Sequence, residues 1–407
     1  MLIDQITIDA FRQDFTLDKD WIHLGLGILA PHSKTLNSII DAHRTFLDKN
    51  PDDARRHRHK YNDKTLKLAA QYLGTHKNNL ILTESTTLSL SLIYLGFKYN
   101  QSDEILLSEH EHYSVDALTL HARELFGVKV KKFNLFEDLQ NITEEAIIER
   151  YIKNITENTR LISVTWVNSC FGVKLPVQKL TSCIRDINAK RPESKRIFTI
   201  LDAVHGIGIE NIPSAEHLGV DYIASGCHKW LFGPRGTGFL WASEIGWKNI
   251  QPLIPSFEAE CWNAFMGEKF VEEYKKSISK PTICSPGGFR SFEYQWALSY
   301  AFENMIALGK NNVEKHIHSL CSLAKDILSE SNRITLYTPN NEELSSGLIC
   351  FNIKDLPAFE FSEIMKNKKI MAGYTPYKES SCRITPGLLN NSREVEKACK
   401  TILEIAQ

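Results

Sequence analysis

Apolar positions along this chain recur in two periods. Between residues 79 and 241, short apolar runs alternate with longer segments whose apolar residues fall three and four apart. The runs at 79–82, 103–107, 128–133, 161–167, 196–200 and 222–224, with a last one after Gly238, predict strands. The segments 88–97, 115–126, 141–156 and 180–189 predict helices. Strands alternating with helices predict a mostly parallel sheet with right-handed crossovers, hence an α/β fold.

Outside that block the pattern changes. Upstream, Leu36, Ile39, Ile40, His43 and Leu47 share one helical face, Asn50-Pro51 breaks the helix, and 66–73 predicts another. Near 250–256 the alternation stops. Residues 258–279 read as an irregular stretch rich in aromatics and charge, expected to serve as a lid or interface loop. Helices are then expected at 294–308, 313–328 and 359–366 and from Arg393 onward, with strands at 345–353 and 369–374. This α+β tail predicts a second, smaller domain. The expected division is an N-terminal segment (1–30), a large domain (31–285), and a linking helix with the small domain (286–407).

Composition narrows the function classes. The 48 basic and 49 acidic side chains nearly cancel, which leaves no electrostatic footprint for nucleic acid or an anionic membrane. No apolar run approaches the length of a membrane span. The first residues, MLIDQITIDAFRQDFTLDKDWIHL, hold no apolar core of a secretory signal. Nine cysteines are scattered without CxxC pairs, which suits reduced thiols in a cytoplasmic protein.

The candidate chemistry concentrates in residues 200–241, ILDAVHGIGIENIPSAEHLGVDYIASGCHKWLFGPRGTGFLW. Asp202, His205 and Lys229 sit at or just beyond predicted strand ends, where open α/β sheets bind ligands. Pyridoxal phosphate (PLP) needs a lysine for its Schiff base and a carboxylate against its pyridinium nitrogen. The blander reading is a surface lysine and a helix-capping aspartate. It leaves the glycine-rich turn directly after the lysine unexplained. Upstream, Thr83-Glu84-Ser85-Thr86-Thr87 opens a predicted helix. Such a loop is either an anion site at a helix N-terminus or a cap without a ligand. Two histidines and two acids in 108–113 are spaced i, i+2 in a loop without a third ligand, so no metal is expected. The cluster Arg55-Arg56-His57-Arg58-His59 reads as a solvated helix face or as a contact to a carboxylate or phosphate.

Asp202-Ala203-Val204-His205 followed by Ser225-Gly226-Cys227-His228-Lys229-Trp230 resembles the aminotransferase class V family of fold-type I PLP-dependent enzymes. Within it, the isopenicillin-N-epimerase-like branch is the best match. The resemblance implies a large domain with a mostly parallel seven-stranded sheet and a smaller α+β domain. It implies pyridoxal 5'-phosphate carried on Lys229, with Asp202 against the ring nitrogen. His112, or secondarily His110, would cover the ring. Thr86, Thr87, Ser225 and His228 would hold the phosphate, with Ser85 standing where the family has glycine. His205 would reach the ring hydroxyl together with Asn168 or its neighbour Ser169, Asn168 being preferred because its amide can donate. Arg383, in SCRITPGLLN, would hold a substrate carboxylate, the alternative being a structural ion pair. The family assembles as a homodimer with its active site at the interface. Residues 25–29 would line the substrate site there, the alternative being a simple edge strand and turn. Gly288 or Ser285 would reach a neighbouring subunit's cofactor phosphate, the alternative being a capped helix with an Arg290–Glu293 pair. His57, from the basic cluster, is a candidate substrate contact.

The resemblance implies an enzyme acting at the α-carbon of an amino acid, aminotransferase-like or epimerase-like, in specialised metabolism. The alternative is a carbon–sulfur β-lyase. Cysteine desulfurases of the family need a nucleophilic cysteine upstream of the arginine, and residues 351–381 contain none. A catalytically idle PLP-fold protein would not need Lys229, Asp202 and Arg383 together.

Overall fold

The computed structural model describes residues 6–136, 139 and 141–407; residues 1–5 of the expected N-terminal segment lie outside them. Seven strands build the central sheet: β1 (Leu80–Thr83), β2 (Glu104–Ser108), β3 (Lys129–Phe133), β4 (Thr159–Thr165), β5 (Phe198–Asp202), β6 (Tyr222–Gly226) and β7 (Gly238–Ala242). Their order is β1-β7-β6-β5-β4-β2-β3. The run from β6 to β3 is parallel, whereas β7 is antiparallel to both its neighbours. Residues 227–237 carry no crossover helix, so the chain must turn back on itself there.

The strands read as continuous apolar runs because both faces are covered. Leu82, Leu106, Ile162, Val164, Leu201 and Phe239 pack into one core. Ile81, Ile105, Leu161, Ile200, Tyr222 and Leu240, on alternate positions, pack into another. The outermost strand β3 exposes Lys129 and Lys132, charges that discourage pairing with a foreign strand.

A second sheet is antiparallel throughout. It comprises β8 (Ile334–Leu336), β9 (Ile349–Ile353), β10 (Gly373–Tyr374) and β11 (Cys382–Ile384), in the order β10-β11-β9-β8. The N-terminal segment is stitched to this side: Ile22–His23 pairs in parallel with Ile370–Met371, and the Thr385 N–H donates to the Leu24 carbonyl at 2.7 Å.

Two expectations need correction. The break at Asn50 is real, but the next helix runs over Pro51–Leu73 in one piece, with proline in its first turn, where its missing N–H costs nothing. The 258–279 stretch is not irregular: it holds the helices Ala259–Met266 and Phe270–Lys276. Helix Phe292–Leu308 packs on Lys34–Lys49 and Pro51–Leu73. Among the described residues no helix is long and apolar enough to cross a membrane.

Candidate active site

The C-terminal ends of β4, β5 and β6 converge on one cavity of about 150 Å³. Thr165 and Asp202, the last residues of β4 and β5, are register partners, and Lys229 follows three residues after β6 ends. The cavity brings together Lys229, Asp202, His205, His228, His112, Thr86 and Thr87.

Lys229 is largely enclosed and lines this cavity. Enclosure lowers its pKa to about 8; Asp202 opposes that shift and Arg383 adds to it. An amine attacks an aldehyde only when uncharged, so the shift favours a carbonyl ligand. Burial raises the Asp202 carboxyl, against the Val204 N–H, 3.1 Å away, and the Lys229 charge. The two groups thus share one desolvated space without forming a closed ion pair among the described contacts.

His205 Nε2 lies 3.1 Å from Lys229 Nζ, and the Trp230 indole N–H donates to His205 Nδ1 at 3.2 Å. Burial, then Lys229, Arg383, His112 and His228, push the imidazole well below its ordinary pKa. His112 caps helix Tyr113–Phe126, accepting the Ser114 N–H at 3.3 Å, and burial lowers its pKa. The second candidate, His110, lies away from the cavity, with ring centroids 4.9 Å from Phe136 and 5.5 Å from Phe171.

The anion-binding loop is built as a helix entrance. Helix Thr86–Tyr94 is capped by Ser85, whose hydroxyl accepts the Leu88 N–H at 3.1 Å. The Ser85 hydroxyl is therefore spent on its own helix, while Ser85, Thr86 and Thr87 all line the cavity. Thr86 Oγ1 accepts the Gly226 N–H at 2.7 Å. A Cβ on Gly226 would sit 2.9 Å from the His228 ring and 3.1 Å from Thr86 Oγ1. Only glycine lets β6 end this close to both side chains.

Four expected residues do not join the cavity as anticipated. The Asn168 amide donates to the His110 carbonyl at 2.6 Å, and its oxygen accepts the Cys170 and Phe171 N–H groups. Its preference over Ser169 is therefore corrected: Asn168 locks a turn, and Ser169 faces the cavity. Ser225 is fully buried, with its hydroxyl donating to the Gly226 carbonyl. His57 sits on the exposed face of helix Pro51–Leu73, held by the Asp53 carbonyl at 2.8 Å. Arg383 lies behind the cavity on β11, buried, its Nη1 3.5 Å from the Ser169 carbonyl. Among the described residues no carboxylate pairs with it, so the structural ion pair has no partner.

Other residues carried no signal in sequence. The Tyr377 hydroxyl bonds Ser169 Oγ, and burial pushes its pKa up to about 12; it lies in the irregular chain between β10 and β11. Glu111 is buried, accepting the Thr165, Ser108 and Ser163 hydroxyls, and burial raises its pKa to about 7. Its only hint was a position beside His112.

An enclosed amine, a buried carboxylate and a helix entrance fit an aldehyde-bearing pyridine phosphate. Residues 32–374 match the family model Aminotransferase class-V. The chain belongs to the aminotransferase class-V family. Its cofactor is accordingly pyridoxal 5'-phosphate. Class-V relatives include a "Probable cysteine desulfurase" from Halalkalibacterium halodurans, 24% identical over 70% of this chain. Another is the isopenicillin N epimerase of Streptomyces clavuligerus, 23% identical over 70% of this chain. The matched part spans 65% and 68% of these two relatives' own lengths. An apo cysteine desulfurase structure from Thermococcus onnurineus NA1 superposes with a TM-score of 0.82 at 19% identity, covering 100% of this chain and 99% of that one. That likeness is of fold: α/β, fold type I.

Proposed function

We propose that this class-V enzyme acts at the α-carbon of an amino-acid substrate, as an aminotransferase or epimerase, through pyridoxal phosphate on Lys229. The observation that carries the reading is the enclosed Lys229 amine, lowered to about 8 and sharing one cavity with Asp202. When bound, the cofactor supplies an electron sink for the substrate's α-carbanion.

The chain's own residues supply the rest. Asp202 would face the pyridine nitrogen and partner its N–H. The free N–H groups at Thr86 and Thr87, with His228, accept a phosphate. His205 and Ser169 would reach the ring hydroxyl, and His112 would cover the ring. Arg383, buried behind Ser169 at the cavity wall, would offer a planar, bidentate donor to a carboxylate that reaches past it. Lys229 Nζ, when free and uncharged, would take the α-proton. We assign the working form as a homodimer in a reducing, cytoplasmic setting.

A persulfide relay is disfavoured despite the desulfurase relatives. It needs an accessible thiolate. Eight of the nine cysteines are buried. Those near Arg383, namely Cys170, Cys350 and Cys382, have thiols pushed by burial to about 12, 11 and 12.

The test uses PLP-loaded protein with a panel of amino acids. Exchange with a keto acid, or inversion at the α-carbon, is expected. Release of pyruvate, or of sulfur from cysteine, as the main product would overturn the reading.

A further inference from the structure

We propose that Trp230 is a positioning residue: its indole N–H fixes His205 as the Nε2–H tautomer, and that tautomer holds the Lys229 amine uncharged. The inference rests on Lys229 being the cofactor-linked amine and extends that assignment to what prepares it.

The argument is one of donors and acceptors. An indole N–H can only donate, and it lies 3.2 Å from His205 Nδ1. Nδ1 must therefore present its lone pair. The ring is neutral, because its burial and the nearby Lys229, Arg383, His112 and His228 all oppose an imidazolium. A neutral imidazole carries one N–H, so the proton is on Nε2. That atom is 3.1 Å from Lys229 Nζ. An ammonium has no lone pair to accept it, whereas a free amine does. The opposite tautomer would turn a lone pair toward Nζ and favour the ammonium.

The indole has no room to release this contact. A Cβ on Gly27 would come to 2.9 Å from the Trp230 ring, one on Gly208 to 2.7 Å from the Trp230 main chain and Cβ, and ones on Gly347 and Gly387 to 3.0 and 3.3 Å from the ring. These glycines belong to the N-terminal segment, the chain after β5, the approach to β9 and the chain after β11. Gly208 also has φ +93°, a conformation other residues avoid. Three separate stretches of chain thus give up side chains around the ring, and a fourth around the backbone that carries it.

The other groups that face Nζ are Asp202, which favours the ammonium, and Arg383, which disfavours it; His112 and His228 line the same cavity. None of them contacts the indole nitrogen, so replacing Trp230 addresses His205 alone.

The test uses cofactor-free protein. In protein labelled with ¹⁵N-histidine, the resonances lost in His205→Phe identify the ring. They are expected to show a protonated Nε2 and a bare Nδ1; a proton on Nδ1 overturns the proposal. Capture of pyridoxal phosphate, followed by absorbance against pH, reports the uncharged amine, with a midpoint near 8 in the native protein. In Trp230→Phe that midpoint is expected to rise by about one unit, roughly tenfold slower capture at neutral pH. In the His205→Phe background, adding Trp230→Phe should shift nothing, because no imidazole remains to reorient. An equal shift in both backgrounds would mark Trp230 as packing only and overturn the proposal. If Trp230→Phe does not fold, the labelled native protein still decides. A native protein that captures no pyridoxal phosphate at any pH defeats the proposed function instead, while the tautomer is read independently.

Discussion

A lysine becomes an electrophile-seeking amine here through its surroundings. Lys229 loses water to the cavity walls and keeps Asp202 close enough only to moderate the shift. Lys229→Ala is expected to abolish the visible absorbance of the PLP-loaded protein and its turnover. Asp202→Asn keeps the shape and removes the charge; kcat is expected to fall on the order of 10²–10³-fold, and a variant with native kcat would sink the assignment. Arg383→Lys replaces a planar fork by a point charge. Charged hydrogen bonds contribute about 1.5–3 kcal/mol, so kcat/KM should drop roughly 10- to 100-fold, chiefly through KM, if Arg383 holds the substrate carboxylate. At this scale Lys229, Asp202 and His205 were legible because all three lie in one stretch that ends successive strands. The choice between Asn168 and Ser169 was not. Adjacent residues in a turn point different ways, and only the backbone path shows that Asn168 is consumed by the His110, Cys170 and Phe171 main chain.

Elements join in a buried polar knot beneath the site. Glu111, just before helix Tyr113–Phe126, accepts hydroxyls from Ser108 at the end of β2 and from Ser163 and Thr165 of β4, and Tyr94 of helix Thr86–Tyr94 donates to Ser163 at 2.6 Å. Its pKa is raised by burial from 4.5 to about 7. Between those values the folded chain keeps a proton that the unfolded chain has lost. Stability from this group is therefore full below pH 4.5 and falls as pH rises through 7. Glutamine cannot ionise, so Glu111→Gln should gain on the native protein by up to about 3 kcal/mol over that window. Urea unfolding on both sides of the window measures it; a constant difference would assign the pH dependence elsewhere. The long sheet strands were legible because each is apolar along its whole length. Helix Pro51–Leu73 was read only in its last third, because its first half is charged on every side and shows no apolar stripe. The helices of 258–279 and strand β11 were too short to display a period.

The whole molecule divides the proposed substrate contacts between two sheets. Lys229 and Asp202 extend from the seven-stranded sheet, and Arg383 from the four-stranded one. Something must hold the two at fixed spacing, and Glu210 is placed to do so. This buried carboxylate follows β5. It accepts Lys174 Nζ at 2.9 Å on the same side, and His318 Nε2 at 3.0 Å and the Ser346 hydroxyl from the other. Burial pushes its pKa up, but His318, Lys174 and Ser346 together hold it below 4.5. Removing one partner of such a group strands a buried charge, which typically costs about 3–5 kcal/mol. Glu210→Ala should lose stability of that order, and KM should rise as Arg383 loses its spacing from Lys229. Adding Lys174→Met should recover part of the stability, because it removes the orphaned ammonium. A depressed carboxyl stabilises above its unfolded pKa and stops doing so as pH falls through the folded one. The gap between native and Glu210→Ala in urea unfolding should therefore be widest at neutral pH and close below about pH 4.5. A gap that persists undiminished in acid would mean that Glu210 acts by filling space rather than through its charge.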